Sequence, residues 1–401
     1  MRGVVVPPQE EDFTADPVEL FFDLAFVFAF SRLVYLLVHH PDWAGIGDFA
    51  LLFVLIWLPW TQFTWSANAV PGNNRKVRVA FLVGTVATVP MAASITTAFD
   101  DGGLTFAISL GVILSLGLVT MIAGLPSDSA VYSAILRYSI PNIVAVGVLI
   151  AGAFFERDVR IVFWIGAFLI VVYGTIRAGD KEWLVRPQHF AERHGLILIV
   201  ALGEVIVAIG LPVVEALEAG DGVAGSALAA LIASGAFACL LWWAYFDRVN
   251  PALEHRHEVH DDPQHRGRYA RDIYTYCHLP IIAGIVLIAA ALEEITLHPS
   301  ESLGVAFRWM LYSGLVLYLG GVALSVWRAF RVIARERVVG LVVLVVPAAL
   351  AGSLSGLALL VITNVLLLGV LITEHLRIEG RPSAADRTAP ASASGHLGDQ
   401  R

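Results

Sequence analysis

Twelve long apolar runs, separated by short polar segments, constrain the fold of this chain more than any other feature. A helix needs about 20 predominantly apolar residues to cross the roughly 30 Å hydrocarbon core of a bilayer. Because lipid offers backbone N–H and C=O groups no partner, uninterrupted runs of this length are expected to be helical. Runs 1 to 12 lie at about residues 17–39, 47–70, 76–99, 103–124, 129–154, 158–177, 189–213, 223–249, 269–293, 302–327, 335–352 and 355–376. The sequence therefore predicts an all-α, polytopic transmembrane helical bundle of about twelve helices.

The composition excludes an ordinary soluble domain. Hydrophobic residues make up 57% of the 401 residues and charged residues only 15%, whereas soluble domains are about a quarter charged. No basic stripe with interleaved aromatic residues indicates nucleic-acid binding. The chain also lacks P-loop, HExxH, GxSxG and paired CxxC motifs. We therefore expect no cofactor, no metal centre and no enzymatic activity. The lipid bilayer is the expected partner, and a homo-oligomer is compatible with the sequence.

The distribution of lysine and arginine predicts the orientation, because cytoplasmic loops of membrane proteins are enriched in both. The loops after runs 2, 6, 8 and 10 carry Arg75, Lys76, Arg78, Lys181, Arg186, Arg256, Arg266, Arg268, Arg331 and Arg335. The loops after runs 1, 3, 7, 9 and 11 carry none, whereas Arg157 and Arg160 after run 5 break the pattern. Both termini, residues 1–16 and a disordered tail at 378–401, are thus predicted to be cytoplasmic in a multi-pass plasma-membrane protein. Residues 250–268 form the only long polar loop expected.

The two halves of the chain resemble each other. Run 1 opens PVELFFDLAFVFAF and run 7 opens PQHFAERHGLILIVALGE, each with charges in the first turns after a proline. The following run ends in tryptophans each time, at Trp60-TQFT-Trp65 and at Trp242-WAYF-Asp247. This predicts two related six-helix halves, 17–180 and 187–377, with the same orientation in the membrane. The alternative is that aromatic and charged residues cluster at membrane interfaces in any case.

Run 7 contains the densest set of intramembrane charges, each costing at least about 2.5–3.5 kcal/mol on insertion scales. His189, Arg193 and Glu204 share one helical face, and Glu192 and His194 flank it. These side chains are predicted to line an ion path or to accept a proton. The alternative is that they form structural ion pairs between packed helices.

Run 1 carries Glu19, Asp23 and Arg32. If runs 1 and 7 occupy equivalent places around a central axis, opposite charges lie at matched depths. This predicts that Asp23 pairs with Arg193 and that Arg32 pairs with Glu204. The alternative for Arg32 is that its guanidinium reaches the membrane interface.

Further polar and aromatic residues on runs 2, 8 and 9 are secondary candidates for a path. They are Trp60, Trp65, Asn68, Trp243, Asp247, Tyr274 and His278. An aromatic belt with hydrogen bonds between helices explains them equally well.

The blocks ELFFDLAFVFAF at 19–30, HFAERHGLILIVALGE at 189–204 and WWAYFD at 242–247 together resemble the bacterial low temperature requirement A (LtrA) family. The resemblance covers nearly the whole chain to about residue 376. It implies a membrane protein named for growth at low temperature, and no defined molecular activity. The opening around Phe22-Asp23 is also similar to the Phe-Ser-Asp opening of a lysosomal and bacterial potassium-channel family built from six-helix repeats, with phenylalanine in place of the serine.

The sequence favours a channel or secondary transporter for a proton, a monovalent cation or a small solute, through a path between the halves. A non-transporting scaffold or a stress or cold sensor with structural ion pairs is the alternative. A third hypothesis is an intramembrane lipid enzyme with Glu204 and His194 as acid and base.

Overall fold

The computed structural model describes residues 14–69, 74–123, 130–178, 185–220, 222–259, 263–350, 352 and 354–379. These residues contain helices and no β-strand. The helices are α1 Pro17–His39, α2 Trp43–Ala69, α3 Arg75–Ala93, α4 Gly103–Ala123, α5 Ala130–Gly152, α6 Arg157–Ala178, α7 Pro187–Glu218, α8 Gly225–Phe246, α9 Val249–Glu258, α10 Pro263–Tyr269, α11 Cys277–Leu297, α12 Val305–Phe330, α13 Arg335–Leu350 and α14 Gly356–Glu379. A 3₁₀ turn, Ile95–Thr97, follows α3, and a π-helical segment, Ala270–Tyr276, joins α10 to α11.

Eleven helical stretches within the described residues are long and apolar enough to cross a membrane. They correspond to runs 1 to 10 and run 12, so the predicted polytopic helical bundle is confirmed. Run 11 forms α13, which has only 16 residues and spans about 24 Å at 1.5 Å per residue. The division into two related halves stays a prediction. The predicted N-terminal segment and C-terminal tail lie almost entirely outside the described residues.

The prediction of one long polar loop at 250–268 was wrong. Two short helices, α9 and α10, occupy most of this stretch. Val249 and Leu253 of α9 are buried, and Tyr269 at the end of α10 donates a hydrogen bond to the Leu253 carbonyl at 2.9 Å. The burial of a few apolar side chains is thus enough to hold this stretch, which is polar in composition, in a helical structure.

Helix α11 lies at the centre of the bundle and packs against α1, α7, α8 and α12. Its contact with α12 is close because both helices present glycine. A Cβ added at Gly284 would lie 2.5 Å from the Gly314 carbonyl oxygen, so the backbones touch. The π-helical segment ends just before α11, where Pro280 has no N–H to donate to the preceding turn.

The two arginines that break the predicted charge pattern have defined partners at one end of the first six helices. Arg157 Nη2 donates to the Asp48 carboxylate at 2.6 Å. Arg160 donates to four backbone carbonyls, those of residues 98, 100, 153 and 155, at 2.7–3.2 Å. The guanidinium thus provides a hydrogen-bond donor for backbone carbonyls that lie just after the end of α5 and just before the start of α4. These interactions give both charges a structural role at this end of the bundle.

Candidate functional site

The start of α1 fixes the position of the first acidic side chain. Asp16 caps the helix by accepting from the Val18 N–H at 3.0 Å, and Pro17 occupies the first helical position. Glu19 completes the capping box through its Oε1 atom. Its Oε2 atom therefore points away from the cap and into the bundle, toward α7.

A buried charge cluster forms where α1 contacts α7; it consists of Glu19, Asp23, His189 and Arg193. Arg193 donates from Nη1 to Glu19 Oε2 at 2.8 Å and from Nη2 to Asp23 Oδ1 at 2.6 Å. His189 Nε2–H donates to the same Glu19 oxygen at 2.9 Å, since a carboxylate oxygen only accepts. All four side chains are buried. The predicted contact of Asp23 with Arg193 is therefore present, and the four-residue spacing on both helices brings in the other two residues.

Helix α2 closes the charge cluster from a third side. The Trp60 indole N–H donates to Asp23 Oδ1 at 2.8 Å, and the ring is completely buried. Asp23 Oδ1 thus receives two hydrogen bonds, whereas Asp23 Oδ2 is buried with no hydrogen-bond partner. One oxygen of the cluster is left with unused acceptor capacity in an apolar setting.

A second polar contact between α1 and α7 lies deeper in the bundle, and it differs from the prediction. Ser31 Oγ donates to Glu204 Oε2 at 2.6 Å. The predicted pair of Arg32 with Glu204 was wrong. Arg32 follows Asp23 by nine residues, or two and a half helical turns, and so faces away from α7. Arg32 instead donates to Thr96 Oγ1 at 2.9 Å, and its guanidinium lies 4.4 Å from the ring centroid of Tyr35.

A group of buried rings adjoins the charge cluster; we call it the His–Tyr group, and it comprises His194, Tyr245, Tyr274 and His278. The His194 ring centroid lies 4.9 Å from Trp60, 5.1 Å from Tyr274 and 5.0 Å from His278. His278 Nδ1 bonds to a backbone carbonyl at 2.9 Å, and its Nε2 bonds to the Tyr245 hydroxyl at 2.6 Å. Tyr245 was not singled out from the sequence, although it lies within the quoted block WWAYFD.

Two atoms of the His–Tyr group are buried and have no hydrogen-bond partner. His194 Nδ1–H donates to the Phe190 carbonyl at 2.8 Å, which leaves Nε2 as an unpaired acceptor. The Tyr274 hydroxyl is also unpaired. Unsatisfied buried groups are rare in folded proteins, so each of these atoms requires an explanation, such as strain, an active role or a bound water or ion.

The chain matches the bacterial low temperature requirement A proteins (LtrA) over residues 14–372. The protein belongs to the LtrA family. The uncharacterized protein RA0937 of Rhizobium meliloti (strain 1021) is 30% identical over 380 residues, which cover 92% of this chain and 90% of that protein. No solved structure matches the chain.

Four further secondary candidates of this LtrA-family protein form two pairs, one that connects helices and one that does not. Trp65 Nε1 donates to Thr275 Oγ1 at 3.1 Å, so it joins α2 to the π-helical segment. Asn68 Oδ1 accepts from the backbone N–H of Arg186 at 2.9 Å, so it joins α2 to the residue before α7. By contrast, Trp243 is 55% exposed. Asp247 pairs with its neighbour Arg248 at 3.3 Å at the end of α8. The structure does not bring these last two candidates to the charge cluster.

Glu192 lies at the edge of the charge cluster. Its Oε2 atom accepts from the backbone N–H of Ala15 at 2.8 Å, which holds the chain just before α1 against α7. Within the described ranges, no group of three or more His, Cys, Asp or Glu residues is placed to hold a metal ion.

Proposed function

We propose that this LtrA-family protein is a channel or secondary transporter that moves a proton or a monovalent cation across the plasma membrane. Both termini lie in the cytoplasm in this proposal. The single observation that carries it is the unbalanced charge of the cluster between α1 and α7. That cluster lies at the interface of the two predicted halves, where transport sites of repeat-built transporters are formed.

The charge balance follows from the side chains. Glu19 and Asp23 contribute two negative charges and Arg193 contributes one positive charge, so the cluster carries −1 when His189 is neutral. An uncompensated charge in an apolar interior is very costly, and such groups neutralise by taking up a proton or a counterion. One proton, held on His189 or on a carboxylate, or one monovalent cation brings the cluster to neutrality.

Buried groups in the charge cluster and beside it offer further sites for a proton. Asp23 Oδ2, His194 Nε2 and the Tyr274 hydroxyl are all buried without hydrogen-bond partners. Trp60 lies between the charge cluster and the His–Tyr group, since its indole N–H donates to Asp23 and its ring lies 4.9 Å from the His194 ring. These groups supply unused donors and acceptors beside the charge cluster, as a relay between carboxylate and imidazole requires.

The test is ion flux in proteoliposomes loaded with a pH-sensitive dye. We expect flux to fall at least about tenfold for Asp23→Asn, because the amide cannot exchange a proton at neutral pH. Glu204→Gln should lower flux as well, while Glu215→Gln, an exposed acid on the same helix, should leave it unchanged. Circular dichroism and gel filtration establish that each variant is folded. Flux of Asp23→Asn equal to that of the wild type would refute transport through the charge cluster, and unchanged flux of Glu204→Gln as well would refute a path between α1 and α7.

The complete burial of the charge cluster favours a second candidate, a membrane scaffold in which these residues only hold α1 against α7. Glu19 and Arg193 are both 0% exposed, and Glu204 is hydrogen-bonded to Ser31. This candidate predicts no flux above empty liposomes for the wild type. It also predicts that Asp23→Asn changes the stability of the protein and has no effect on flux.

A further inference from the structure

A cavity of about 160 Å³ lies away from the charge cluster, in the cleft between α2, α6 and the π-helical segment. The α6 residues beside the cavity face outward, with Leu169 57% and Ile176 68% exposed. Apolar side chains exposed to this extent on a membrane helix face lipid. One water molecule needs a cavity of only about 10–15 Å³, so this cavity has room for a much larger group. It is therefore accessible to a solute that is dissolved in the bilayer.

Gln62 lines this cavity and has unused hydrogen-bonding groups. It is only 2% exposed, and neither its amide nitrogen nor its amide oxygen has a hydrogen-bond partner within the described residues. By contrast, the hydroxyls of Thr61 and Thr175 in the same cavity donate to carbonyls of their own helices, at 2.9 and 3.1 Å. A buried amide without partners is destabilising. A ligand that donates a hydrogen bond to Oε1 and accepts one from Nε2 removes this cost.

The ligand group that matches the Gln62 amide is an uncharged hydroxyl. A hydroxyl both donates and accepts hydrogen bonds, so a single oxygen can serve Oε1 and Nε2 of the amide. A carbonyl oxygen only accepts and would leave Oε1 without a donor. A charged group is disfavoured beside this neutral amide, because a buried charge is costly unless it is paired. Arg271, which also lines the cavity, already binds the Asp272 carboxylate at 2.9 Å.

Aromatic side chains from four elements surround the cavity. They are Trp57 and Trp65 of α2, Tyr138 of α5, Phe168 of α6 and Tyr276 of the π-helical segment. The two indoles are held in place, because their N–H groups donate to the backbone carbonyl and to the hydroxyl oxygen of Thr275, at 3.2 and 3.1 Å. Aromatic rings pack favourably on one another in offset-stacked or edge-to-face arrangements. Walls of this kind favour a flat ring over an acyl chain as the group beside Gln62.

We propose that this cavity binds a quinol, a hydroquinone ring that carries an isoprenoid tail. One ring hydroxyl donates to Gln62 Oε1 and accepts from Gln62 Nε2, and the ring lies between the indoles of α2 and Phe168. The tail leaves through the lipid-facing opening beside α6. The site prefers the quinol to the oxidised quinone, because the quinone has carbonyls in place of the hydroxyls. It is separate from the charge cluster, and its occupancy does not depend on the transport proposed above.

The proposal is tested by anaerobic isothermal titration calorimetry of the full-length, detergent-solubilised protein with decylubiquinol, decylubiquinone and the dimethyl ether of decylubiquinol. The quinone and the ether lack the donor that Gln62 Oε1 requires. We expect the wild type to bind the quinol about tenfold more tightly than either, and Gln62→Leu to remove this preference by weakening the quinol. Phe168→Leu should weaken the quinol by about fivefold and keep the preference, because it removes a ring and leaves the amide. Gln188→Leu, which changes a glutamine of α7 outside the cavity, should behave as the wild type.

Three results would overturn the quinol site. The first is equal binding of the quinol and its dimethyl ether to the wild type, and the second is a preference that survives Gln62→Leu. The third is binding of dioctanoylglycerol, an acyl lipid with a free hydroxyl, as tight as that of the quinol. Gln62→Leu replaces an unsatisfied amide with an apolar side chain of similar size, so it is expected to fold and to keep the test decisive. A rise of the melting temperature on adding decylubiquinol, present in the wild type and absent in Gln62→Leu, provides a second readout.

Discussion

Replacing Arg193 with methionine tests the physical basis of the charge cluster. The substitution keeps an unbranched side chain of similar length and removes the guanidinium that binds Glu19 and Asp23 at 2.8 and 2.6 Å. Breaking a buried ion pair by removing one partner costs about 3–5 kcal/mol. Glu19 keeps His189, and Asp23 keeps the Trp60 indole. We therefore expect a loss near the middle of this range, about 4 kcal/mol, or roughly a thousandfold change in the unfolding equilibrium.

The free energy of unfolding is measured by SDS titration of protein reconstituted in bicelles, followed by far-ultraviolet circular dichroism. The matched control is Arg137→Met, because Arg137 is exposed on α5 and should change stability by no more than about 0.5 kcal/mol. The triple variant Glu19→Gln, Asp23→Asn and Arg193→Met removes all the fixed charges and should recover most of the loss. A loss below about 1 kcal/mol for Arg193→Met, or a triple variant less stable than the single one, would refute the reasoning.

Two further predictions concern packing and helix ends. Gly284→Ala should destabilise the protein by about 2 kcal/mol or more, because the new Cβ would lie 2.5 Å from the Gly314 carbonyl oxygen, whereas Gly203→Ala meets nothing within 4 Å and should be neutral or slightly stabilising. The same unfolding titration distinguishes the two, and equal effects would contradict the close packing of α11 on α12. Arg160→Met should cost about 3 kcal/mol, since it leaves four backbone carbonyls without a donor. A melting temperature equal to that of the wild type would show that those carbonyls find other partners.

The sequence alone was enough to predict most of the membrane-spanning helices, because lipid requires long apolar segments to satisfy their backbone internally. It also predicted one contact across the bundle, that of Asp23 with Arg193, from spacing and matched depth. The same reasoning failed for Arg32, which lies on the wrong face of α1 and bonds to Thr96. Depth along a helix follows from counting residues, but the direction of a side chain also depends on how the helix is rotated against its neighbours.

The sequence by itself determines the LtrA family, the membrane location and the identity of the charged residues in the core, since these depend on composition and local order. The partners of those residues were decided by the tertiary structure. The hydrogen bond of Trp60 to Asp23 joins α2 to α1, and that of Ser31 to Glu204 joins α1 to α7, which is far from it in the chain. Such contacts depend on the rotation and close approach of whole helices, which the spacing of residues along one helix does not determine.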